Sequence, residues 1–354
     1  MTMLKGKKVL ITGGTGSLAK VLVKRLLSGE MGTPEQIIVF SRDEAKQHQM
    51  RLEYLNRKSV TDDVIYRNFQ ELLAFRIGDV RDFHSVANAL KGVDVVFNTA
   101  ALKQVPTCEY FPFEAVMTNI GGPENIVRAI REHDLPIDTV VGISTDKACK
   151  PVNVMGMTKA IQERVFIKAN MDCRSTRFIC VRYGNVLASR GSVIPYFHEQ
   201  IRAGGPVTIT SIEMTRFLLS LEKAVDTIFA AVREAERGET YIPRVPAAKV
   251  VDIANALIGD RDIRTVITGV RPGEKIHEIL ISEEEANRTM TKDNYYAIQP
   301  ILPELRATKM AGPALTKEYS SADNLMSATE VENLLRGHRL MVEDGLVEEG
   351  EILK

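Results

Sequence analysis

Neither sign of charge dominates this chain: Lys and Arg together number 46, and Asp and Glu together number 46. No global field therefore draws it to nucleic acid or to an anionic membrane surface, and any phosphate binding must be built locally. Long apolar runs are missing as well. None approaches the roughly 18 residues of a membrane span, and the N-terminus passes into an apolar run without a signal-peptide pattern. A cytoplasmic protein with no membrane partner is expected. Cysteine is scarce, and Cys108, Cys149, Cys173 and Cys180 stand without C-x-x-C or metal spacing in apolar or turn-like contexts, which predicts reduced structural thiols. The six histidines are scattered, with no H-E-x-x-H, so no metal site is expected.

What is present is a rhythm. The 354 residues, 44% hydrophobic, suffice for two domains or one large domain with an elaborated lobe. Lys7 to Thr12 (KKVLIT) ends in glycines and is followed by a helical pattern through Leu18, Val21, Leu22, Arg25 and Leu26. QIIVF at 36–40, AFRI at 74–77, VDVVFN at 93–98, TVVGIS at 139–144 and FICVR at 178–182 repeat the theme, separated by helix-like stretches. Such alternation predicts an α/β fold, a doubly wound parallel sheet of the Rossmann kind, whose strands are continuous apolar runs because both faces are buried. After about Asn185 the pattern breaks at Gly191, Pro195, Gly204, Gly205 and Pro206, then Leu218 to Val232 reads as a helix returning to the sheet. Residues 1–187 are thus expected to form the nucleotide-binding domain, with 213–243 rejoining it. Residues 188–212 and 244–354 are expected to form a smaller substrate-binding lobe, with a helix near Val250 to Leu257. The stretch from Met290 to Lys309 has little periodicity and reads as a mobile active-site latch or an oligomer contact.

Thr12-Gly13-Gly14-Thr15-Gly16-Ser17-Leu18-Ala19 lies between the first strand and its helix, where glycines let backbone approach a pyrophosphate and the helix N-terminus stabilises its charge. Gly13, Thr15, Gly16, Ser17 and Leu18 are the expected contacts, and the chain is expected to bind a dinucleotide. The second strand runs into Ser41-Arg42-Asp43, where serine and arginine suit a 2′-phosphate and predict NADP; in the alternative, Asp43 binds the ribose diol of NAD. Asp79 and Val80 follow the third strand and are expected near the adenine. Asn98, Ala100 and Ala101 follow the fourth, where small residues let the chain pass close to the cofactor.

In order, T-G-G-T-G-S, G-D-V-R-D, A-A-L-K-Q-V-P, T-N-I-x-G, S-T-D-K-A, P-x-N-x-M-G-x-x-K, R-Y-G-N-V and S-R-G-S-V-I-P closely resemble the extended short-chain dehydrogenase/reductases. More narrowly, the chain resembles the soluble UDP-N-acetylglucosamine 4,6-dehydratases of bacterial surface-glycan synthesis, the makers of precursors for capsule or lipopolysaccharide. The likeness runs from about Lys7 to Glu332. It implies a tightly held NADP, reduced and reoxidised in each turnover, and a homo-oligomer, commonly a hexamer. It also places Asn119, Tyr183 and Asn185 by the cofactor. Ala19 departs from the pattern, since a third glycine is usual there. Met155 stands where the family commonly has tyrosine, and methionine marks the inverting branch, which also epimerises C-5.

A thioether cannot exchange a proton at neutral pH, so another group must serve the substrate hydroxyl. The expected reaction takes UDP-N-acetylglucosamine to a UDP-2-acetamido-2,6-dideoxy-hexos-4-ulose in three linked steps. Lys159, four residues after Met155, is expected to hold the nicotinamide ribose and favour the alkoxide. The C-4 hydroxyl proton is assigned to Asp146, or to a water held by Thr145 and Lys147. Lys147, neutral if burial and a cationic Lys159 depress its pKa, is expected to take the C-5 hydrogen, while protonated Asp146 serves the departing C-6 hydroxyl. Lys103 would protonate the opposite face. The plainer account of Asp146 and Lys147 is a strand-end turn with an exposed ion pair, and Met155 could simply fill core. Asn185, Ser189, Arg190, Val193, Arg216, Arg271 and Glu274 are expected to bind the nucleotide sugar, with Lys103. A retaining dehydratase or a 4-epimerase would share the cofactor grip, and an NADP sensor without activity would lack a use for the lysines.

Overall fold

The computed structural model describes residues 2–55, 69, 71–187, 192–306 and 312–344. In chain order the strands are β1 (Lys8–Thr12), β2 (Gln36–Ser41), β3 (Leu73–Ile77), β4 (Val95–Asn98), β5 (Thr139–Thr145), β6 (Arg177–Tyr183), β7 (Val207–Ile209) and β8 (Thr215–Phe217). They continue as β9 (Thr240–Pro243), β10 (Ala247–Lys249), β11 (Thr265–Ile267), β12 (Ile279–Ile281), β13 (Thr289–Lys292), β14 (Tyr295–Ile298) and β15 (Tyr319–Ser320). Nine of these make one sheet in the order β13-β14-β9-β6-β5-β4-β1-β2-β3. From β9 through β3 every neighbouring pair is parallel. This is a doubly wound Rossmann sheet, reversing direction of winding between β1 and β4.

The alternation of strand side chains feeds two cores, one on each face. Val9, Ile11, Phe97, Val141, Ile143, Ile179 and Val181 pack with Leu22 and Leu26 of helix Ser17–Leu27 and with Ile228 and Phe229 of helix Leu221–Glu234. Leu10, Val96, Val140, Phe178 and Cys180 point the other way, onto Val86 and Leu90 of helix Phe83–Leu90, Ile126 and Ile130 of helix Gly122–Glu132, and Phe166 of helix Val154–Asp172. Burial on both faces is why these strands read as uninterrupted apolar runs. The expectation fails at β3, the sheet edge, where Ile77 is 60% exposed because the sheet has no further strand and no helix beyond it among the described residues.

A third core gathers Phe197 and Ile201 of helix Val193–Arg202, Ile253 and Leu257 of helix Val250–Ile258, Val331 and Leu335 of helix Ala328–Gly337, and Val207 and Ile209 of β7. Of the short strand pairs, β7/β11 joins this cluster through β7, whereas Leu280, Ile281 and Tyr319 of β12/β15 and Phe217 and Ala247 of β8/β10 lie in the first core.

The reading of 290–309 as a stretch of little periodicity, within a 244–354 substrate-binding lobe, is corrected in one respect: part of it is regular structure of the large sheet. β13 and β14 form an antiparallel hairpin that pairs through β14 with β9 and so extends the large sheet. Tyr296, Ala297 and Ile298 are buried there, and the hairpin covers what would otherwise be the open edge of β9. Residues 307–309 lie outside the described part. No helix among the described residues is long and apolar enough to cross a membrane.

Candidate active site

The first strand delivers the glycine turn to the C-terminal edge of the sheet. Gly13 has φ +63°, and a Cβ there would lie 2.8 Å from Ala100 Cα, so only glycine lets the turn sit against the segment after β4. Gly16 precedes helix Ser17–Leu27 and no side chain caps its first turn, leaving those N–H groups open toward an anion. Thr12 Oγ1 donates to Asn98 Oδ1 at 2.8 Å and Thr99 Oγ1 donates to the Thr12 carbonyl, which locks the ends of β1 and β4 together. Asn98 Nδ2 stays buried without a partner. Ala19 is fully buried in the core beneath the turn.

At the next strand end, Ser41 Oγ and Thr15 Oγ1 lie 3.2 Å apart, tying the β2 end to the glycine turn. Asp43 accepts from the Lys46 backbone N–H at 3.0 Å and pairs with the Lys46 ammonium at 2.7 Å, so it caps its own helix. Arg42 is 60% exposed and approaches Asp79 only at 3.7 Å, while Asp79 is gripped by Arg81 at 2.7 Å. Val80 is buried against helix Gly122–Glu132, with its carbonyl held by Asn125.

β5 ends at Thr145, whose extended backbone starts the short turn Asp146–Ala148. Asp146 is completely buried. Its Oδ1 accepts from Thr145 Oγ1 at 2.9 Å and from Lys147 Nζ at 3.0 Å, and its Oδ2 has no partner. A Cβ on Gly184 would come 3.3 Å from that bare oxygen, so the glycine of R-Y-G-N-V keeps side-chain bulk off it. This is not the exposed turn of the plainer reading.

Helix Val154–Asp172 begins over the same turn. Asn153 accepts from the Gly156 N–H, capping the helix, and donates to the Gly273 carbonyl at 2.8 Å, which ties the turn to the Arg271–Glu274 loop. A Cβ on Gly156 would fall 2.2 Å from the Lys147 carbonyl oxygen, so the helix start and Lys147 share backbone contact. Met155 packs with Cys108, Ala115, Leu102 and Val105 in a small apolar cluster. Asn119 clamps the loop after β4 from both sides, accepting from the Leu102 N–H and donating to the Leu102 carbonyl and to Thr158 Oγ1. Lys103 is the exposed next residue of that loop, and Ala101 is half-buried.

The expected neutral Lys147 is corrected. Burial disfavours its charge, but the carboxylates of Asp146 at 3.0 Å and Glu278 at 3.5 Å outweigh burial and raise the pKa above the ordinary lysine value. The depressed lysine is Lys159: burial brings it to about 8, while its ammonium donates to the Ile143 carbonyl and to Gln162 Oε1. Burial likewise raises the Tyr183 phenol, so that group stays protonated.

From β8, Arg216 donates to the carbonyls of Thr215 and Ile276 and lies 3.9 Å from Glu278. Glu274 is half-buried with one bare oxygen, Asn185 has a bare amide oxygen, Val193 opens its helix half-buried, and Arg271 is exposed. Ser189 and Arg190 lie outside the described residues.

Three charged groups here were not singled out from the sequence. Glu278 and Lys275 belong to the same segment as Glu274, and the motif G-E-K-I-H-E held the signal. The third is Arg182, 3% exposed in its side chain, which bridges Glu163 at 2.6 Å and Glu285 at 2.8 Å. An arginine closing the apolar run F-I-C-V-R was the visible clue.

A family model described as "Polysaccharide biosynthesis protein" matches residues 9–300. A protein of Rickettsia bellii named UDP-glucose 4-epimerase is 41% identical over 94% of this chain and 96% of its own length. One of Campylobacter jejuni named UDP-N-acetylglucosamine 4,6-dehydratase (inverting) is 42% identical over 84% of each chain. The X-ray structure of Pen from Bacillus thuringiensis superposes with a TM-score of 0.84 at 32% identity, covering 96% of this chain and 99% of that one. With the strand order and the glycine turn, these likenesses establish that the chain belongs to the polysaccharide biosynthesis family of extended short-chain dehydrogenase/reductases.

Proposed function

We propose that this chain is a redox-neutral, NADP-dependent UDP-N-acetylglucosamine 4,6-dehydratase that inverts C-5. The carrying observation is Asp146, at the end of β5: a wholly buried carboxylate with one oxygen bound and one bare, in a chain whose Met155, at the start of the following helix, replaces the family tyrosine. A base must accept a hydroxyl proton, and Oδ2 is the carboxylate oxygen that carries no hydrogen bond.

The residues fit a nicotinamide dinucleotide. Gly13, Gly16 and the uncapped helix start would hold the pyrophosphate, with Thr15, Ser17 and Leu18 beside them, and Ala100, Ala101 and Asn98 would line its passage. Ser41 and Arg42 would take the 2′-phosphate, a reading supported by the engagement of Asp43 with its own helix. NADP, when bound, would supply a hydride acceptor and donor for C-4 and C-6.

In this scheme Asp146 Oδ2 receives the C-4 hydroxyl proton and later gives it to the departing C-6 hydroxyl, which leaves as water. Thr145 and Lys147 orient the carboxylate through Oδ1. Lys147, after yielding its own proton, takes the C-5 hydrogen, and Lys103 on the clamped loop protonates the opposite face. Lys159 adds positive charge near the nicotinamide ribose, with Asn119, Asp79, Val80 and Tyr183 shaping the walls. Arg216, Arg271, Glu274, Asn185 and Val193 would receive the UDP-sugar, together with Ser189 and Arg190. Cytoplasmic action as a homo-oligomer belongs to the same proposal.

A second reading, UDP-sugar 4-epimerase, is favoured by the names of relatives such as the Rickettsia bellii protein. An epimerase needs acid/base help at one hydroxyl only, whereas this site offers adjacent Asp146 and Lys147. Incubating the protein with UDP-N-acetylglucosamine in heavy water separates the two. Dehydration is expected to remove one water by mass without net NADPH and to place deuterium at C-5 with changed ring couplings. An unchanged mass with inversion at C-4 would instead make it an epimerase, and tight NADP binding without turnover would make it a sensor.

A further inference from the structure

Glu278 reaches the site from the residue just before β12, far along the chain from β5, yet lies against Lys147. Its side chain is 3% exposed, with Oε1 3.5 Å from Lys147 Nζ and 3.9 Å from Arg216 Nε, while Oε2 is buried without a partner. Its backbone is fixed on both sides: its N–H donates to Ser321 Oγ at 2.9 Å, its carbonyl accepts from the Ser321 N–H, and Ser321 Oγ lies 2.6 Å from Thr215 Oγ1. A carboxylate so held and so buried normally has both oxygens satisfied.

Resting on the dehydratase reading, we infer that Glu278 is the proton store of Lys147, a positioning residue that accepts the ammonium proton and thereby frees the amine to attack the C-5 hydrogen. In the first transfer a Lys147 N–H bond breaks, its electron pair stays on nitrogen, and an O–H bond forms on Glu278. The amine then takes the C-5 proton, and the C–H electron pair passes into the enolate of the C-4 ketone. Expulsion of the C-6 hydroxyl, protonated by Asp146, completes the loss of water. The proton on Glu278 goes to solvent and Lys103 regains one, closing the balance.

Two physical facts favour this transfer. Moving a proton from Lys147 to Glu278 turns an ion pair into a neutral pair, so the net charge of the buried cluster is unchanged by the step. Timing also favours it. Once Asp146 has taken the C-4 proton it no longer attracts the ammonium 3.0 Å away, and the lysine is easier to neutralise. The Arg216 guanidinium, 3.9 Å from Glu278, remains as a neighbouring cation.

The test uses the full-length, NADP-loaded Glu278→Gln protein, which keeps size and hydrogen bonding but cannot store a proton. On mixing with UDP-N-acetylglucosamine in heavy water, transient reduction of bound cofactor is expected within about threefold of the unaltered protein. Deuterium entry at C-5 and water loss are expected to fall by about 100-fold or more. Glu278→Asp, which retains a carboxylate, should recover part of that loss. Equal decline of cofactor reduction and C-5 exchange, or exchange at the unaltered rate, would overturn the role. If the unaltered protein itself neither exchanges C-5 nor loses water, the dehydratase reading fails and this role falls with it.

Discussion

Two buried ionic clusters sit side by side at the C-terminal ends of β5 and β6, where Ser144 pairs in register with Arg182 and Thr145 with Tyr183. In one, Arg182 donates to both oxygens of Glu163, to both oxygens of Glu285 and to the Leu280 carbonyl, and Ser144 adds a further bond to Glu163. Nothing there is left over. In the other, Asp146, Lys147, Glu278 and Arg216 balance in charge, yet Asp146 and Glu278 each keep a bare oxygen. The same residue types at neighbouring strand ends thus do different work. A saturated network fixes geometry, and an unsaturated one holds reactive atoms at a cost in stability.

Asp146→Asn should break the symmetry most. The isosteric amide cannot act as a base, so turnover is expected to drop by about 10²–10⁴-fold. The unfolding free energy should fall by about 1–3 kcal/mol, less than for a saturated pair, because the Lys147 ammonium loses a charged partner on Oδ1 while Oδ2 has no bond to lose. Lys147→Ala should abolish dehydration while retaining NADP. Steady-state mass assays beside urea unfolding of each variant read both quantities, and a wild-type rate in Lys147→Ala would remove that residue from the mechanism.

Arg182→Ala should do the reverse. It strands Glu163 and Glu285 without their cation, and a cost of about 3–5 kcal/mol is expected. Activity lost in this variant should track the unfolded fraction, returning when the protein is assayed well below its melting temperature. Acid sharpens the point. Burial alone would raise the Glu285 carboxyl, but Arg182 overrides it and brings the pKa down to about 2. A depressed carboxyl contributes stability that is complete above its unfolded value and lost as pH falls toward the folded one. Unfolding free energy should therefore decline below about pH 4.5 by roughly 3 kcal/mol in total. Arg182→Ala should lack that component of the acid slope.

How far the sequence disclosed this follows from distance along the chain. Strand runs, the glycine turn and the S-T-D-K-A to M-G-x-x-K frame are local, because each depends on side chains within one turn or one strand. The partners of Arg182 are 19 and 103 residues away, so F-I-C-V-R shows an arginine at a strand end and nothing of its bridge. Lys147 was misjudged for the same reason: Glu278 arrives from a segment that no spacing rule connects to β5. The β13–β14 hairpin escaped because its strands are short and one of its burying partners, β9, precedes it by an entire lobe.

The same contrast recurs, at smaller scale, where β2 ends. Asp43 is committed to Lys46 through backbone and side chain, whereas Arg42 is exposed and meets Asp79 only at 3.7 Å. If uncommitted groups are those kept for a ligand, Arg42 serves the cofactor and Asp43 serves the helix. Arg42→Ala is then expected to weaken NADP binding by about 10-fold, the worth of one charge-assisted contact to phosphate, with NAD affinity within about twofold. Asp43→Ala should cost about 1 kcal/mol of stability through the lost cap and leave NADP affinity unchanged. Titration of stripped protein with each dinucleotide measures both. Should Asp43→Ala instead abolish NAD binding while Arg42→Ala leaves NADP untouched, Asp43 is the ribose ligand, the cofactor is NAD, and an unsatisfied charge at this strand end carries no functional meaning.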